Sequence, residues 1–410
     1  FMKFIIRPWL AVGLTLGLLS ACADHNSTSD ELGDGPKPAA VLVTSRLIST
    51  LNQQTLTEKL ASTGIVPRNG IKVYRVTYNT LNLNQDPILA SGIVLIPDTV
   101  GTAFPWISLQ HGTITAKAGA PSFNPREGMA EASQGFITVE ADYLGYGDSA
   151  QLYHPYIIEA GYTTSLVDMM RAALELAQGQ NLTLETLFLQ GYSEGGYATL
   201  ALQKELETQH SDEFTIKASS ASAGPLDVEK TGILVVQKAK VDPANLPFLV
   251  LSYNHWLAKD TMPLASIFVP SLEIVTKALS GAYDANQILD LLPNVRTELL
   301  NANFVNDFIA DAPVLPGSKQ LRSLLRSQSL IAGPWAPKTP TRFYHCIDDE
   351  EIPVAITEEA TQVFQAAGAP VESILIASPD PAKPYRHGTC PAIFRPLQWF
   401  GQLLSQTTPK

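Results

Sequence analysis

The sequence predicts an α/β protein with one mostly parallel sheet, helices on both faces and a helical insertion. Three observations support this fold class. Short apolar strands alternate with helices within residues 43–228, the alternation stops across residues 229–335, and it resumes within residues 336–410. A hydrophobic content of 45% and a charged content of 16% in 410 residues are those of a globular protein with a sizeable core. We therefore expect a core in two parts, residues 43–228 and 336–410, interrupted by a helical segment at residues 229–335.

The elements can be assigned in order from the spacing of apolar residues. Residues 43–60 are predicted to be helical, and the β-rich runs at 70–80 and 88–98 are predicted to pair in antiparallel fashion. The parallel part is then expected from strands at 104–110, 136–143, 186–190, 214–222, 341–347 and 372–378, and from helices at 163–176, 194–208, 354–367 and 391–405. Alternation of this kind indicates a sheet that is covered on both faces.

The N-terminal segment is typical of an exported protein. Residues 2–21 carry two cations ahead of an apolar stretch that is short for a membrane span, as in a secretory signal peptide. They end in a Leu-Ser-Ala-Cys sequence that resembles the bacterial lipobox, which predicts lipidation of Cys22 and a membrane anchor. The residue after Cys22 is Ala23 and not aspartate, which by resemblance to lipoprotein sorting rules favours the outer membrane as the destination. An uncleaved membrane anchor is the alternative. Residues 22–42 are polar and predicted to be a flexible tether.

Charge and motif content narrow the classes of partner. A formal net charge of −11 disfavours nucleic acid, which requires clustered cations. Gly145-Tyr146-Gly147-Asp148-Ser149-Ala150 formally matches a dinucleotide fingerprint, but Pro155 interrupts the helix that should follow, and Asp168 lies within a helical pattern rather than at a strand end. No zinc, P-loop or EF-hand spacing occurs, so no metal or organic cofactor is expected. We expect a monomer that acts on a small-molecule or lipid substrate.

One short stretch carries the strongest chemical signal. Gly191 and Gly195 flank Ser193 in a G-x-S-x-G pattern, where an apolar strand gives way to a helix. In a nucleophile elbow, glycines at these positions permit the tight turn that exposes the serine hydroxyl beyond the sheet. The pattern alone also occurs in ordinary glycine-rich turns, so its partners must be sought elsewhere in the chain.

An elbow serine requires a base and an acid, which follow it in the chain order Ser, Asp or Glu, His. Four histidines follow Ser193, and three of them lie in a helix end, the insertion or a strand interior: His210, His255 and His345. His387 lies in a loop after the last strand and is the predicted base. The acid is expected in the run Asp348-Asp349-Glu350-Glu351, because that run directly follows strand 341–347, the last strand but one.

Backbone donors and cysteines complete the expected site. An oxyanion is stabilised by preorganised N–H groups, here expected from Glu194 after the serine and from Thr113 in the loop after strand 104–110. Gly112 beside Thr113 is expected to permit close backbone approach. If Cys22 carries lipid, Cys346 and Cys390 remain, and in an oxidising compartment we expect them to form a disulfide, two buried thiols being the alternative.

Several motifs together resemble the α/β hydrolases. These are DYLGYGDS, the D-x-x-R-A helix at Asp168, GYSEGG and the late acid and base. HGTITAKAGAPSF, DYLGYG and GYSEGGYATLAL are more narrowly similar to the secretory lipase family of the fungal lipase A type, with bacterial relatives. The resemblance covers about residues 70–405 and includes a D-x-x-[V/I]-P pattern that is met by Asp349. It implies a triad of Ser193, Asp349 and His387, with Asp348 as the alternative acid.

The resemblance also implies a function. The helical segment 229–335 is expected to be a lid, and the activity to be that of a serine carboxylesterase or lipase that cleaves esters of hydrophobic acids. Two departures concern acyl-chain preference: Glu194 stands where such lipases often have a small residue, and Thr113 where they can carry aspartate. A serine peptidase with the same triad and a non-catalytic binding lipoprotein are the alternatives.

Overall fold

The computed structural model describes residues 40–407 and contains one twisted sheet. Its nine strands within that range are β1 (Leu42–Leu51), β2 (Gly70–Leu81), β3 (Pro87–Asp98), β4 (Ala103–Gln110), β5 (Ile137–Ala141), β6 (Thr183–Tyr192), β7 (Ile216–Ser222), β8 (Thr341–Cys346) and β9 (Val371–Ile376). They lie in the order β1-β2-β3-β5-β4-β6-β7-β8-β9. The predicted signal peptide, the lipidation site Cys22 and most of the predicted tether lie outside the described residues.

The sheet has an antiparallel edge and a parallel centre. Strands β1, β2, β3 and β5 pair in antiparallel fashion, whereas β5, β4, β6, β7, β8 and β9 are all parallel neighbours. The predicted pair at 70–80 and 88–98 is therefore confirmed, and so is the mostly parallel sheet. Because the parallel strands run in one direction, the loops that follow β4, β6, β8 and β9 lie at the same edge of the sheet.

Helices cover both faces of this sheet. They are α1 (Gln53–Lys59), α2 (Met129–Ser133), α3 (Glu159–Gly179), α4 (Glu194–Gln209), α5 (Val228–Val236), α6 (Asn245–Trp256), α7 (Leu272–Ala278), α8 (Ala285–Leu291), α9 (Arg296–Leu299), α10 (Ala302–Phe308), α11 (Pro316–Ser327), α12 (Val354–Ala366) and α13 (Pro396–Thr407). Helices α5 to α11 lie between β7 and β8 in the chain. Among the helices of residues 40–407, none combines the length and the apolar composition needed to cross a membrane.

The pleat of the strands separates two apolar layers. Ile93 and Leu95 of β3 pack with residues of α1 and α2, and Phe188 of β6 packs with α13. Val94 of β3 and Leu189 of β6 belong instead to the larger core that contains residues of α3, α4 and α12. Neighbouring residues of a strand point to opposite faces, so both faces of the central strands are buried.

The prediction of a helix across residues 43–60 is wrong in its first half. Leu42–Leu51 is an edge strand paired with β2, and only Gln53–Lys59 is helical. The apolar spacing of this segment suits either structure, and the hydrogen bonds available from β2 decide it. Asn52 separates the two elements, because its side chain accepts a hydrogen bond from the backbone N–H of Thr55 and caps the helix.

Candidate active site

The turn between β6 and α4 holds Ser193 in an unusual backbone conformation. Its φ of 59° and ψ of −123° lie in a region that L-residues rarely adopt. A Cβ atom at Gly191 would lie 2.2 Å from the carbonyl oxygen of Gly195, and one at Gly195 would lie 2.0 Å from that of Gln110. Both positions therefore require glycine, and the local sequence folds into the expected elbow at the carboxyl edge of the sheet.

His387 and Asp349 meet Ser193 from two other loops. The loop after β9 places His387 Nε2 2.8 Å from Ser193 Oγ, and the loop after β8 places Asp349 Oδ2 2.6 Å from His387 Nδ1. The three residues predicted from sequence thus form one hydrogen-bonded line, although Ser193 and His387 are 194 positions apart.

The structure distinguishes the two candidate acids. Asp349 is buried, and its Oδ1 accepts hydrogen bonds of 2.9 Å from the backbone N–H groups of Glu351 and Ile352. Asp348 is exposed, and its carboxylate accepts a hydrogen bond from Ser378 instead. Asp349 is therefore the acid that the geometry brings to His387.

The surroundings of Asp349 and His387 shift the pKa values of both side chains toward their charged forms. Burial alone would raise the pKa of the Asp349 carboxyl, but hydrogen bonds from His345 and His387 outweigh it and hold the pKa well below its usual range. Burial also opposes the charged form of His387, but the hydrogen bond to Asp349 and the charges of Glu351 and Glu350 raise its pKa above the usual value. An ionised Asp349 keeps the proton on Nδ1 of His387, so that Nε2 can accept one.

Solved structures share this architecture. The rice cell wall degrading esterase LipA from Xanthomonas oryzae superposes with a TM-score of 0.74 at 25% identity, over 90% of this chain and 97% of that one. Lipase A from Candida antarctica superposes with a TM-score of 0.61 at 17% identity, over 91% of this chain and 84% of that one. A model of the prolyl oligopeptidase family matches residues 121–232, and no functionally curated protein matches the sequence.

The chain has the α/β-hydrolase fold. The expected similarity to lipases of the lipase A type is confirmed at the level of the fold. The likeness to an esterase and the prolyl oligopeptidase match support an enzyme of the serine hydrolase class.

Three further side chains, none of which was assigned a role from the sequence, contact His387 or Asp349. Tyr192 Oη donates to the His387 carbonyl oxygen at 2.8 Å and lies 3.1 Å from Nδ1. Glu350 accepts a hydrogen bond of 2.9 Å from the His387 backbone N–H, and His345 Nε2 lies 3.3 Å from Asp349 Oδ2. Tyr192 immediately precedes the serine and Glu350 immediately follows the acid, and these positions were the signals available in the sequence.

The predicted disulfide is present between Cys346 and Cys390, with Cα atoms 6.0 Å apart. Cys346 ends β8, three residues before Asp349, and Cys390 follows His387 by three residues. The bond therefore ties together the two loops that carry Asp349 and His387.

The two expected oxyanion donors lie at the start of α4 and in the loop after β4. Glu194 is the first residue of α4, where backbone N–H groups have no partner within the helix. Thr113 lies in the loop after β4, with its Oγ1 2.9 Å from Tyr156 Oη. The close backbone approach predicted at Gly112 is absent, because a Cβ atom there would lie 3.7 Å from its nearest neighbour, the Tyr192 carbonyl oxygen.

A cavity of about 520 Å³ opens beside Ser193. Its lining is more apolar than polar and comes largely from α5, α6 and the segments next to them, with the side chains of Val228, Val235, Val241, Leu246, Leu249 and Leu289. Glu351 also lines it and lies 3.8 Å from His387 Nε2. The cavity can therefore hold a hydrophobic group next to the serine hydroxyl.

The turn that matches a dinucleotide fingerprint packs closely against other residues of the protein. Asp148 forms an ion pair of 2.6 Å with Arg75, and a Cβ atom at Gly147 would lie 2.0 Å from Ser91 Oγ. Asp168 accepts hydrogen bonds from Thr80 and Arg171. These residues act in packing the turn against the sheet.

Proposed function

We propose that this α/β-hydrolase is a serine carboxylic-ester hydrolase of the lipase or esterase type, which cleaves esters of hydrophobic acids. The observation that carries the proposal is the hydrogen-bonded line from Asp349 through His387 to Ser193, which ends at an apolar cavity.

In the first half of the reaction, Ser193 Oγ attacks the ester carbonyl carbon while its proton passes to Nε2 of His387. The carbonyl oxygen becomes an oxyanion, which the backbone N–H groups of Glu194 and Thr113 stabilise. Asp349 stabilises the imidazolium that forms. The C–O bond to the alcohol then breaks, and His387 returns the proton to the departing alkoxide.

In the second half, water replaces the alcohol. His387 takes a proton from the water molecule as its oxygen attacks the acyl carbon, and then donates that proton to Ser193 Oγ as the acid leaves. The serine and the imidazole return to their starting states, so the net reaction is ester plus water to acid plus alcohol.

The segment 229–335 is proposed to act as a lid that lines the acyl pocket. Its helix α5 and the following residues supply most of the apolar cavity wall, so a hydrophobic acyl chain loses contact with water when it binds there. This favours esters of hydrophobic acids over those of short polar ones.

Hydrolysis of p-nitrophenyl esters of graded chain length tests the proposal. Wild-type protein should hydrolyse the series, and Ser193→Ala should lose about 10⁴-fold or more of kcat. Ser165→Ala is the matched control, because Ser165 is a buried serine whose hydroxyl bonds only within its own helix. A Ser193→Ala variant that keeps most of the activity would refute the proposal.

A serine peptidase is the second candidate, because the prolyl oligopeptidase model matches residues 121–232, which include Ser193. It predicts cleavage of aminoacyl anilides by the same residues. A protein that hydrolyses esters but not aminoacyl anilides is not a peptidase of this kind. A binding lipoprotein without activity is the third, and it predicts that Ser193 does not react with a fluorophosphonate probe.

We further infer that the mature protein is an exported monomer anchored through lipid on Cys22. The lipobox-like sequence before Cys22 supports the anchor, and the fold shared with a cell wall degrading esterase accords with export. Incorporation of labelled palmitate into wild-type protein but not into Cys22→Ser tests the anchor, and sedimentation tests the oligomeric state.

A further inference from the structure

Glu194 carries a buried carboxylate directly after the serine of the elbow. The residue is 1% exposed, and its Oε1 accepts hydrogen bonds from His154 Nε2 at 2.8 Å and from Tyr162 Oη at 3.0 Å. Its Oε2 has no hydrogen-bond partner in the part of the chain that the structure describes. A buried carboxylate is costly unless it is compensated, so a role is expected for this one.

The donors and acceptors around His154 determine how many protons the pair holds. Its Nδ1 lies 2.7 Å from the carbonyl oxygen of Leu144, which can only accept, so Nδ1 carries a proton. Tyr162 Oη accepts from the Ile157 backbone N–H and therefore donates to Glu194. One further proton must lie between His154 Nε2 and Glu194 Oε1. With that proton the pair has no net charge, whichever partner holds it.

The other side of His154 contacts the helical insertion. Its carbonyl oxygen accepts a hydrogen bond of 3.0 Å from Ser252 Oγ of α6, and the same hydroxyl accepts from the Tyr156 backbone N–H at 2.9 Å. The imidazole lies within 6.2 Å of five aromatic rings, those of Tyr143, Tyr146, Tyr156, Tyr162 and Phe248. These contacts hold the ring of His154 in place, so that it can hold Glu194 in turn.

The same segment reaches the second expected oxyanion donor. Tyr156 is two residues from His154, and its Oη lies 2.9 Å from Thr113 Oγ1. One short segment, residues 154–156, therefore contacts the side chains of both Glu194 and Thr113, whose backbone N–H groups are proposed to bind the oxyanion.

We propose that Glu194 and His154 form a buried positioning pair for the oxyanion site, which holds both backbone donors in place and presents no net charge to the oxyanion. This inference rests on the proposed function. Neither side chain touches the reacting atoms. Their role is to fix the amide of Glu194 through its side chain and the loop of Thr113 through Tyr156. Preorganised donors are the largest contribution to stabilising such an intermediate, so small displacements are costly.

A double-mutant cycle tests the pair. His154→Gln keeps a donor to the carboxylate but leaves a buried negative charge beside the oxyanion. Glu194→Gln replaces the shared proton with a hydrogen bond between two neutral groups, which holds the residue less firmly. Each single variant should lower kcat roughly tenfold and change KM less than about threefold. The loss in kcat is smaller than the 10²- to 10³-fold loss caused by removing an oxyanion donor outright. The double variant removes the carboxylate that His154→Gln leaves uncompensated, so it should be more active than His154→Gln.

Activity should be expressed per active site, counted by fluorophosphonate labelling, so that unfolded protein does not contribute. Glu207→Gln is the matched control, since Glu207 is another buried glutamate of α4 and bonds to Gln203 and Trp335 away from the site. It should lower the unfolding temperature and leave kcat unchanged. Losses that simply multiply in the double variant, or single variants with unchanged kcat, overturn the proposal.

Tyr162→Phe covers the case in which a His154 variant does not fold. It removes one donor to Glu194 and keeps the packed ring, so kcat should fall about threefold at constant KM. An unchanged kcat contradicts the proposal. Failure of the proposed function is a separate result, because it shows as full ester hydrolysis by Ser193→Ala, whatever the His154 and Tyr162 variants do.

Discussion

The nucleophile elbow and the two loops that carry the acid and the base are held by different kinds of contact. At the elbow, backbone atoms approach so closely that a methyl group at Gly195 would lie 2.0 Å from a carbonyl oxygen. The loops of Asp349 and His387 are held by side-chain hydrogen bonds and by one disulfide. Backbone packing of the first kind admits no substitution, whereas the second kind can be weakened one contact at a time.

The largest expected effect concerns the acid. Asp349→Asn should lower kcat/KM about 10⁴-fold, because an amide no longer keeps the proton on His387 Nδ1. Asp348→Asn is the control and should change it less than about threefold, because that carboxylate is exposed and bonds to Ser378. Steady-state kinetics on one ester measure both. Equal losses in the two variants would show that the acid is not assigned correctly.

The second-largest expected effect concerns Gly195, which should tolerate almost no substitution. Gly195→Ala is expected to lower the free energy of unfolding by about 4 to 5 kcal/mol, because the added carbon overlaps the carbonyl of Gln110. Gly112→Ala, with its nearest neighbour 3.7 Å away, should cost less than about 1 kcal/mol. Urea unfolding of both variants makes the comparison. A stable Gly195→Ala would mean that the backbone at the elbow can move apart.

The disulfide should contribute less than the elbow glycines. Cys346 and Cys390 are 44 residues apart, and closing a loop of this length restricts the unfolded chain by up to about 4 kcal/mol. Replacing both by serine should therefore lower the free energy of unfolding by about 2 to 4 kcal/mol and reduce kcat, since the loop of His387 loses its tie to that of Asp349. Addition of reductant should lower the free energy of unfolding and kcat of the wild-type protein, and should leave both quantities unchanged in the double variant.

The smallest expected effect is a shift in pH dependence. His387 must be neutral to accept the proton, and its pKa is raised, so kcat/KM should fall as pH drops through a value above 6.5. Glu351→Gln removes a carboxylate that favours the charged imidazole, so this limb should move to lower pH by roughly half a unit. A pH profile of both proteins measures it, and a limb that moves upward contradicts the assignment.

Local patterns allowed much of this structure to be predicted. The antiparallel pair β2 and β3, the elbow at Ser193 and the position of His387 beside it follow from apolar periodicity, glycine spacing and chain order. The edge strand Leu42–Leu51 was missed, because its spacing fits a helix and its partner β2 is distant in the sequence. The contact of His154 with Glu194 could not be predicted either, since the two residues are 40 positions apart.

By itself the sequence determined the elements that depend on near neighbours: the glycines that allow the turn at Ser193, the alternation of strands and helices, and the order of serine, acid and base. The tertiary structure alone decided between Asp348 and Asp349, placed Tyr192 and His345 around the base, and buried Glu194 against His154. The physical reason is range. Backbone conformation is set within a few residues, whereas hydrogen bonding and burial of a side chain depend on groups that only folding brings near.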